Sequence, residues 1–277
     1  MSFHPPILLK DRAVVEVSGP DAASFLQGLI TNDVEQVAQG RAIYAALLTA
    51  QGKIVHDFLI TAAPSGGFWL DVARERAADL AARLKKYKLR AKVTLTERAD
   101  LAVVAHAARP QTTDVTFEDP RLAALGHRVI TANPGDAVTD DRAYHERRIA
   151  LGVPDAIDIP PEAYFPLDCN LEELHGVDFD KGCYVGQELT ARMKHRATAR
   201  RRMLPVEADT NLPPPGTVLK IGSSELGELR SAIETKGLAL VRLDRLGEAQ
   251  EADAAGVTVR IGRPAYPLIL PSGAHQS

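Results

Sequence analysis

From Leu204 to Pro264 the chain never runs more than nine residues without a glycine or a proline. Such punctuation excludes a long helix there, because proline lacks the amide proton a helix interior needs and glycine weakens it. What fits between the breaks is short strands: "TVLKI", "ELRSAI", "LALVRL" and "VTVRI". Several short strands at close spacing with turn residues between them predict a small β-barrel for residues 197–277.

The rest of the chain is mixed. Ala13 to Val17 alternates like a strand and breaks at Gly19-Pro20, and Asp21 is placed to cap a helix carrying Phe25, Leu26 and Leu29. "YAALLTAQGKIVHDFLITAAPSGGFWLDV" reads as strands separated by glycine-rich turns. Residues 74–88 repeat Ala77, Leu80, Ala81 and Leu84 at helical spacing. "AKVTLTERADLAVVAHA" returns to alternation, so the order strand, strand, helix, strand, strand predicts an α+β layer with an antiparallel sheet. A short helix ends at Gly152, with Pro154 beyond it. Residues 157–183 carry little periodicity and many prolines and acids, the mark of an ordered loop region where function concentrates.

The bulk properties narrow the classes. With 277 residues and 45% apolar content the chain holds more than one core, and a net charge of −3 gives no global field for nucleic acid or an anionic membrane. No apolar run has the length of a membrane span, and the first residues lack the marks of a signal peptide. Two cysteines are no disulfide framework, so a reducing compartment is expected: the cytoplasm, or the mitochondrial matrix for a processed organellar chain. No G-x-G-x-x-G and no P-loop is present, which disfavours a nucleotide enzyme.

One stretch carries chemistry. "DKGCYVGQELTARMKHR", residues 180–196, sets Cys183 between Gly182 and Tyr184, with Lys181 before it. A cation nearby, or a helix opening after Gly186, would favour the reactive thiolate; the alternative is a small buried residue in a tight turn. Cys169, His175, Cys183 and His195 lie close in sequence without a metal-binding spacing, so no metal site is expected. The basic run from Arg192 to Arg202 lacks aromatics for base stacking and reads as a solvated strand face. His56 and Asp57 offer acid–base groups, or two polar residues on the exposed side of an edge strand.

"KGCYVGQELTAR" resembles the signature of the YgfZ-type folate-binding proteins, relatives of the glycine cleavage T-protein that assist iron–sulfur cluster assembly. "FLQGLITNDV", "LLTAQGKIVHDFLI", "ALGVPD" and "NLEELHGVDFDKGCY" fit the same family in the same order. The resemblance implies an α+β, three-domain T-protein-like fold around a central opening. A discontinuous folate-binding domain would span 1–48 with 136–196, an α+β domain 49–135, and a C-terminal β-barrel domain 197–277.

It also implies tetrahydrofolate or a derivative as ligand, iron–sulfur client proteins or assembly factors as partners, and neither nucleic acid nor membrane. The motif residues carried over are Lys181, Gly182, Cys183, Tyr184, Gly186, Gln187, Glu188 and Arg192. Lys181 would favour the Cys183 thiolate, and Glu188 and Arg192 would hold the loop. Tyr144 would stack on the pterin, and Arg12 stands where some relatives carry tryptophan. Ala197 stands where many have glycine. The T-protein has two adjacent acids where this chain has His56-Asp57, which weakens the alternative of a folate-dependent aminomethyl- or methyltransferase using Asp57. An interaction scaffold that has lost its ligand is the third possibility.

Overall fold

A computed structural model describes residues 4–196, 200–247 and 249–269; Ala197 lies outside them. The chain begins with β1 (Ile7–Leu8), β2 (Arg12–Ser18) and α1 (Ala22–Gln27). There follow β3 (Ile43–Leu48), β4 (Ile54–Ala62), β5 (Phe68–Ala73), α2 (Ala77–Lys88) and β6 (Thr94–Glu97). These strands, β1 apart, form one antiparallel sheet in the order β3-β4-β5-β2-β6. A second sheet, β1-β7-β9-β8, adds β7 (Ala102–His106), β8 (Val115–Glu118) and β9 (His127–Thr131). The expected single layer is therefore two: "AKVTLTERADLAVVAHA" supplies β6 to one sheet and β7 to the other.

The alternation of side chains along a strand explains how the first sheet is covered. Ile43, Ala45, Leu47, Phe58 and Ile60 pack with Leu26, Leu80 and Leu84 of the two helices. Tyr44, Ala46, Leu48 and Leu59 instead share a core with Val103, Phe117 and Ile130 of the second sheet. β3 is buried on both faces and reads "IYAALL", an apolar run without alternation. Asp21 precedes α1 as expected but does not cap it; its carboxylate accepts the Lys92 amide instead.

The boundary expected between residues 48 and 49 cuts the β3–β4 hairpin, whose strands pair from Ile43↔Ile60 to Leu48↔Ile54. Local sequence marks the turn at Gly52 but not the ladder hydrogen bonds that make both strands one unit.

After α3 (Arg142–Ala150) the chain is irregular apart from a 3-10 turn at Pro166–Cys169, then enters α4 (Gln187–His195). The six strands β10 (Arg201–Ala208), β11 (Val218–Ile221), β12 (Ser224–Ile233), β13 (Lys236–Arg242), β14 (Glu251–Ala254) and β15 (Val257–Ile261) close a barrel in the order β10-β13-β12-β11-β14-β15. The "RMKHR" part of the basic run is thus the end of a helix, not a strand face, and Arg202 is buried against Glu173 at 3.1 Å.

Gly186 precedes α4 at φ 83° and lies against the β3–β4 turn: a Cβ there would meet the Thr49 carbonyl oxygen at 2.5 Å and Leu48 Cβ at 2.9 Å. Gly186→Ala should cost about 2–4 kcal/mol in denaturant unfolding, because both backbone conformation and contact are violated. At Gly182 an added Cβ would meet nothing within 4 Å, and φ is not positive, so alanine should be accepted there within about 0.5 kcal/mol. Equal losses at the two positions would show that Gly186 is not the fixed point.

Candidate functional site

Cys183 is exposed, and the loop that carries it is tied down on both sides. On one side Lys181 is 8% exposed, and its ammonium donates to the carbonyls of Gln27 at 2.9 Å, Ile30 at 2.7 Å and Asn32 at 2.7 Å. These are three protons for three acceptors, so none is left to donate to the Cys183 sulfur. Lys181 is therefore an anchor for the loop, its ammonium hydrogen-bonded to main-chain carbonyls. Burial pushes its pKa down to about 8, while Asp33 and Asp178 act in the opposite direction. On the other side, Gly186 seats the start of α4, and the Gln187 side-chain oxygen accepts the Tyr184 amide at 3.3 Å. Tyr184 is buried with Lys181 5.2 Å from its ring centre.

Glu188 and Arg192 pair with each other at 2.5 Å one turn apart on exposed α4, and so brace the helix rather than the loop. Cys169 is buried, and burial first, then Asp168 and Asp57, pushes its thiol well above the ordinary value. The two cysteines therefore differ in kind: one accessible, the other held protonated in the core.

The residues expected to hold folate lie elsewhere and are closed. Arg12 is 3% exposed and gives Nε to Asp71 at 2.7 Å and Nη1 to Asp155 at 2.9 Å. Tyr144 is 1% exposed; its hydroxyl accepts from Arg128 at 2.6 Å and Arg121 at 2.9 Å. Arg121 pairs with Asp119 at 2.8 Å, Arg128 with both Asp71 and Asp119, and Arg148 with Asp158 at 2.6 Å. Neither Tyr144 nor Arg12 presents a surface on which a pterin could stack without breaking this lattice, so that expectation is corrected. Sequence reasoning missed the lattice because its members are scattered from residue 12 to residue 158.

His56 and Asp57 are both buried on β4, between β3 and β5, so neither the exposed edge nor a joint acid–base pair is realised. Consecutive strand residues face opposite ways. His56 Nε2 meets Asp79 of α2 at 2.9 Å, while Asp57 accepts the Tyr44 hydroxyl at 3.1 Å. The second Asp57 oxygen has no hydrogen-bond partner.

Two cavities open nearby. One of about 560 Å³ is lined by Leu189 and Met193 of α4, Tyr164, Phe165 and Asp168, and the arginines Arg200, Arg201 and Arg242 at the barrel. Glu225 and Glu228 line it too, and the arginines are already paired, Arg201 with Asp168 at 3.0 Å and Arg200 and Arg242 with Asp244 at 3.7 and 3.0 Å, so its polar side is of mixed charge. The other is of equal volume and shares no residue with it.

Among the described residues one cluster has metal-ligating types, Asp11, Asp141 and His145. Arg148 Nε donates to His145 Nδ1 at 3.0 Å, which puts the neutral ring's proton on Nε2, the atom facing the two carboxylates. A protonated ring nitrogen has no lone pair for a metal.

Residues 11–116 match the family model described as the GCVT N-terminal domain, and residues 200–267 match the CAF17 C-terminal beta-barrel domain. The chain is 35% identical to the mouse protein named iron-sulfur cluster assembly factor IBA57, mitochondrial, over 86% of this chain and 77% of that protein. This chain belongs to the IBA57 family of iron–sulfur cluster assembly factors. The human relative of that name is 34% identical with the same coverage of both. A homolog from Neurospora crassa is 38% identical over 71% of this chain, but the match spans only 52% of that longer protein. In fold, the aminomethyltransferase of the glycine cleavage system from Bartonella henselae superposes with a TM-score of 0.70 over 94% of this chain and 85% of that one, at 14% identity. This chain thus has the T-protein-like architecture and the C-terminal β-barrel expected from sequence, and the barrel closes with six strands.

Lys181→Met should leave three main-chain carbonyls without their shared donor and cost about 2–4 kcal/mol in chemical denaturation. A loss below about 0.5 kcal/mol would mean the anchor is dispensable. Asp57 yields a pH signature. Its carboxyl is held above the ordinary 3.8 by burial and then by Asp155, against Arg12, Arg76 and the Tyr44 hydroxyl. The stability it contributes is present below 3.8 and lost as pH rises through its folded value. Asp57→Asn stays neutral throughout, so its stability should gain on wild type as pH rises above 3.8 and level off once the folded carboxyl has ionised. A constant difference across that range would contradict the raised pKa.

Proposed function

We propose that this protein is an accessory factor in the assembly, maturation or repair of iron–sulfur enzymes, acting through the thiol of Cys183. The observation that carries the reading is the exposed Cys183 on a loop held by Lys181 and Gly186. An accessible thiol on a fixed backbone can meet an iron–sulfur client or another assembly factor, whereas Cys169 is shielded from both. The relatives' names, which specify iron–sulfur cluster assembly and mitochondria, support the same role and a reducing compartment in which such clusters are made, the mitochondrial matrix rather than the cytoplasm.

A folate is the ligand we assign to the cavity beside α4, as a property shared with YgfZ-type proteins. Tyr164 and Phe165 would border its ring system, and its acidic tail would share Arg200, Arg201 and Arg242 with the carboxylates of Asp168 and Asp244. Tetrahydrofolate would supply a one-carbon carrier there. The chain's own contribution is to bind it, keep it beside α4 and present Cys183 four residues before that helix begins. Aminomethyl transfer has less support, since Asp57 is enclosed and faces away from His56.

The test combines Cys183→Ala with tetrahydrofolate titration. In cells lacking their own factor, the variant should fold and bind tetrahydrofolate like wild type yet fail to restore the activity of an iron–sulfur enzyme. Full restoration would remove the thiol from the mechanism. Absence of both heat and a melting shift with tetrahydrofolate would remove the folate assignment and leave the thiol untouched.

A further inference from the structure

Residues 83–92, the last turns of α2 and the segment after it, hold six Lys or Arg and no acid, in a chain whose net charge is −3. Arg83 is spent on Asp79 at 2.8 Å and Glu162 at 3.3 Å. Lys85, Lys86, Arg90 and Lys92 are exposed and Lys88 is half-buried, and none of these five makes an ion pair among the described residues. Asp21 borders the patch, where its carboxylate accepts the Lys92 amide. Cations in a last helical turn complement the helix dipole, which accounts for Lys85, Lys86 and Lys88 but not for Arg90 and Lys92 beyond it.

Two large apolar side chains lie in the same patch, Tyr87 at 42% and Leu89 at 89% exposure. Leu89 closes α2 at φ 42°, in the left-handed region that a bulky residue adopts only at a cost. A third cavity, about 330 Å³, opens between α2 and the β3–β4 hairpin. Leu48 and Val55 give it a buried apolar wall, and Arg83, Lys86 and Tyr87 line the α2 side. Thr49 also lines it, and Thr49 and Leu48 are the groups that an added Cβ at Gly186 would meet, three residues after Cys183.

Charge and apolar exposure together define the partner. Unpaired cations require an anionic surface, and Tyr87, Leu89 and the cavity wall require apolar side chains among its acids. A nucleic acid would find a single aromatic in the segment for base stacking. A membrane surface would need an apolar helix face, and that of α2, with Ala77, Leu80 and Leu84, is buried on the first sheet.

We propose that residues 83–92 are a docking surface for an acidic partner protein, its carboxylates paired with the free lysines and arginine and one apolar side chain entering the cavity beside Tyr87. A partner bound there lies against the β3–β4 turn that seats α4, next to the loop carrying Cys183. The docking does not depend on the role of that thiol or on folate.

The full chain is titrated, by fluorescence anisotropy at low salt, with the labelled peptide Glu-Glu-Asp-Phe-Asp-Glu-Glu. The comparison probes are the same peptide with alanine for phenylalanine, a single-stranded oligodeoxynucleotide, and phosphatidylserine vesicles. Saturable binding of the phenylalanine peptide is expected below about 1 mM, weakened by salt and at least tenfold weaker with alanine. Lys85→Gln, Lys86→Gln and Arg90→Gln combined, all at exposed positions, should weaken it at least tenfold at an unchanged melting temperature. Leu89→Gly removes the exposed side chain and accepts φ 42°, so it should weaken the peptide at least threefold without lowering the melting temperature. Cys183→Ala should bind the peptide like wild type, which separates this surface from the role of the thiol. No saturable peptide binding, or wild-type binding by the triple variant, would overturn the proposal. So would tighter binding of the oligonucleotide or the vesicles than of the peptide.

Discussion

Everything else in the molecule is arranged around the lattice of Arg12, Arg121, Arg128 and Arg148 with Asp71, Asp119, Asp155 and Asp158. It joins β2 and β5 of the first sheet to β9 of the second through Asp71, which accepts from both Arg12 and Arg128. Arg148 and Asp158 both reach Ser231 of barrel strand β12, so the barrel is tied to the same interior. Four guanidinium groups buried together are tolerable only with matching carboxylates, and removal of one partner from a buried pair costs about 3–5 kcal/mol. Three β layers are consequently held in one relative arrangement by charge as well as by apolar packing. Asp57 has its carboxyl pKa raised by burial and then by Asp155 of the lattice.

The lattice also separates this chain's interior from its working surface. Arg12 and Tyr144 are buried among ion pairs, and the open cavity beside α4 and the barrel lies outside them. The motif follows the same division. Lys181 and Tyr184 face inward and fix the loop, Gly186 lets α4 approach the β3–β4 turn, and Gly182 and Cys183 are left outside. A reactive group on such a support keeps its position without being enclosed.

Much of the architecture was legible. The glycine and proline breaks after residue 204 limited the tail to short strands and pointed to a barrel, whose six strands the fold supplies. The helical spacing of Ala77, Leu80 and Leu84 marked α2, and the same three side chains are buried against the sheet. The errors share a cause. His56-Asp57 looks like a pair in one dimension, yet the strand sends one to Asp79 and the other to Tyr44. What Lys181 holds was not legible either: its ammonium goes to the carbonyls of Gln27, Ile30 and Asn32, far back in the chain.

Most element types and a kinship with T-protein-like iron–sulfur cluster assembly factors follow from the order of residues alone, though the relatives found are IBA57 proteins rather than the YgfZ type expected, because periodicity, turn residues and a specific local string are properties of neighbouring positions. Which polar groups are spent on holding the fold, and which remain free for chemistry, is settled by folding in three dimensions. That division rests on hydrogen bonds and ion pairs between residues far apart in the chain: Arg12 with Asp155, Lys181 with Ile30, and Glu173 with Arg202. The outcome is a thiol exposed at residue 183, another enclosed at 169, and a carboxylate at 173 with one oxygen still unpaired.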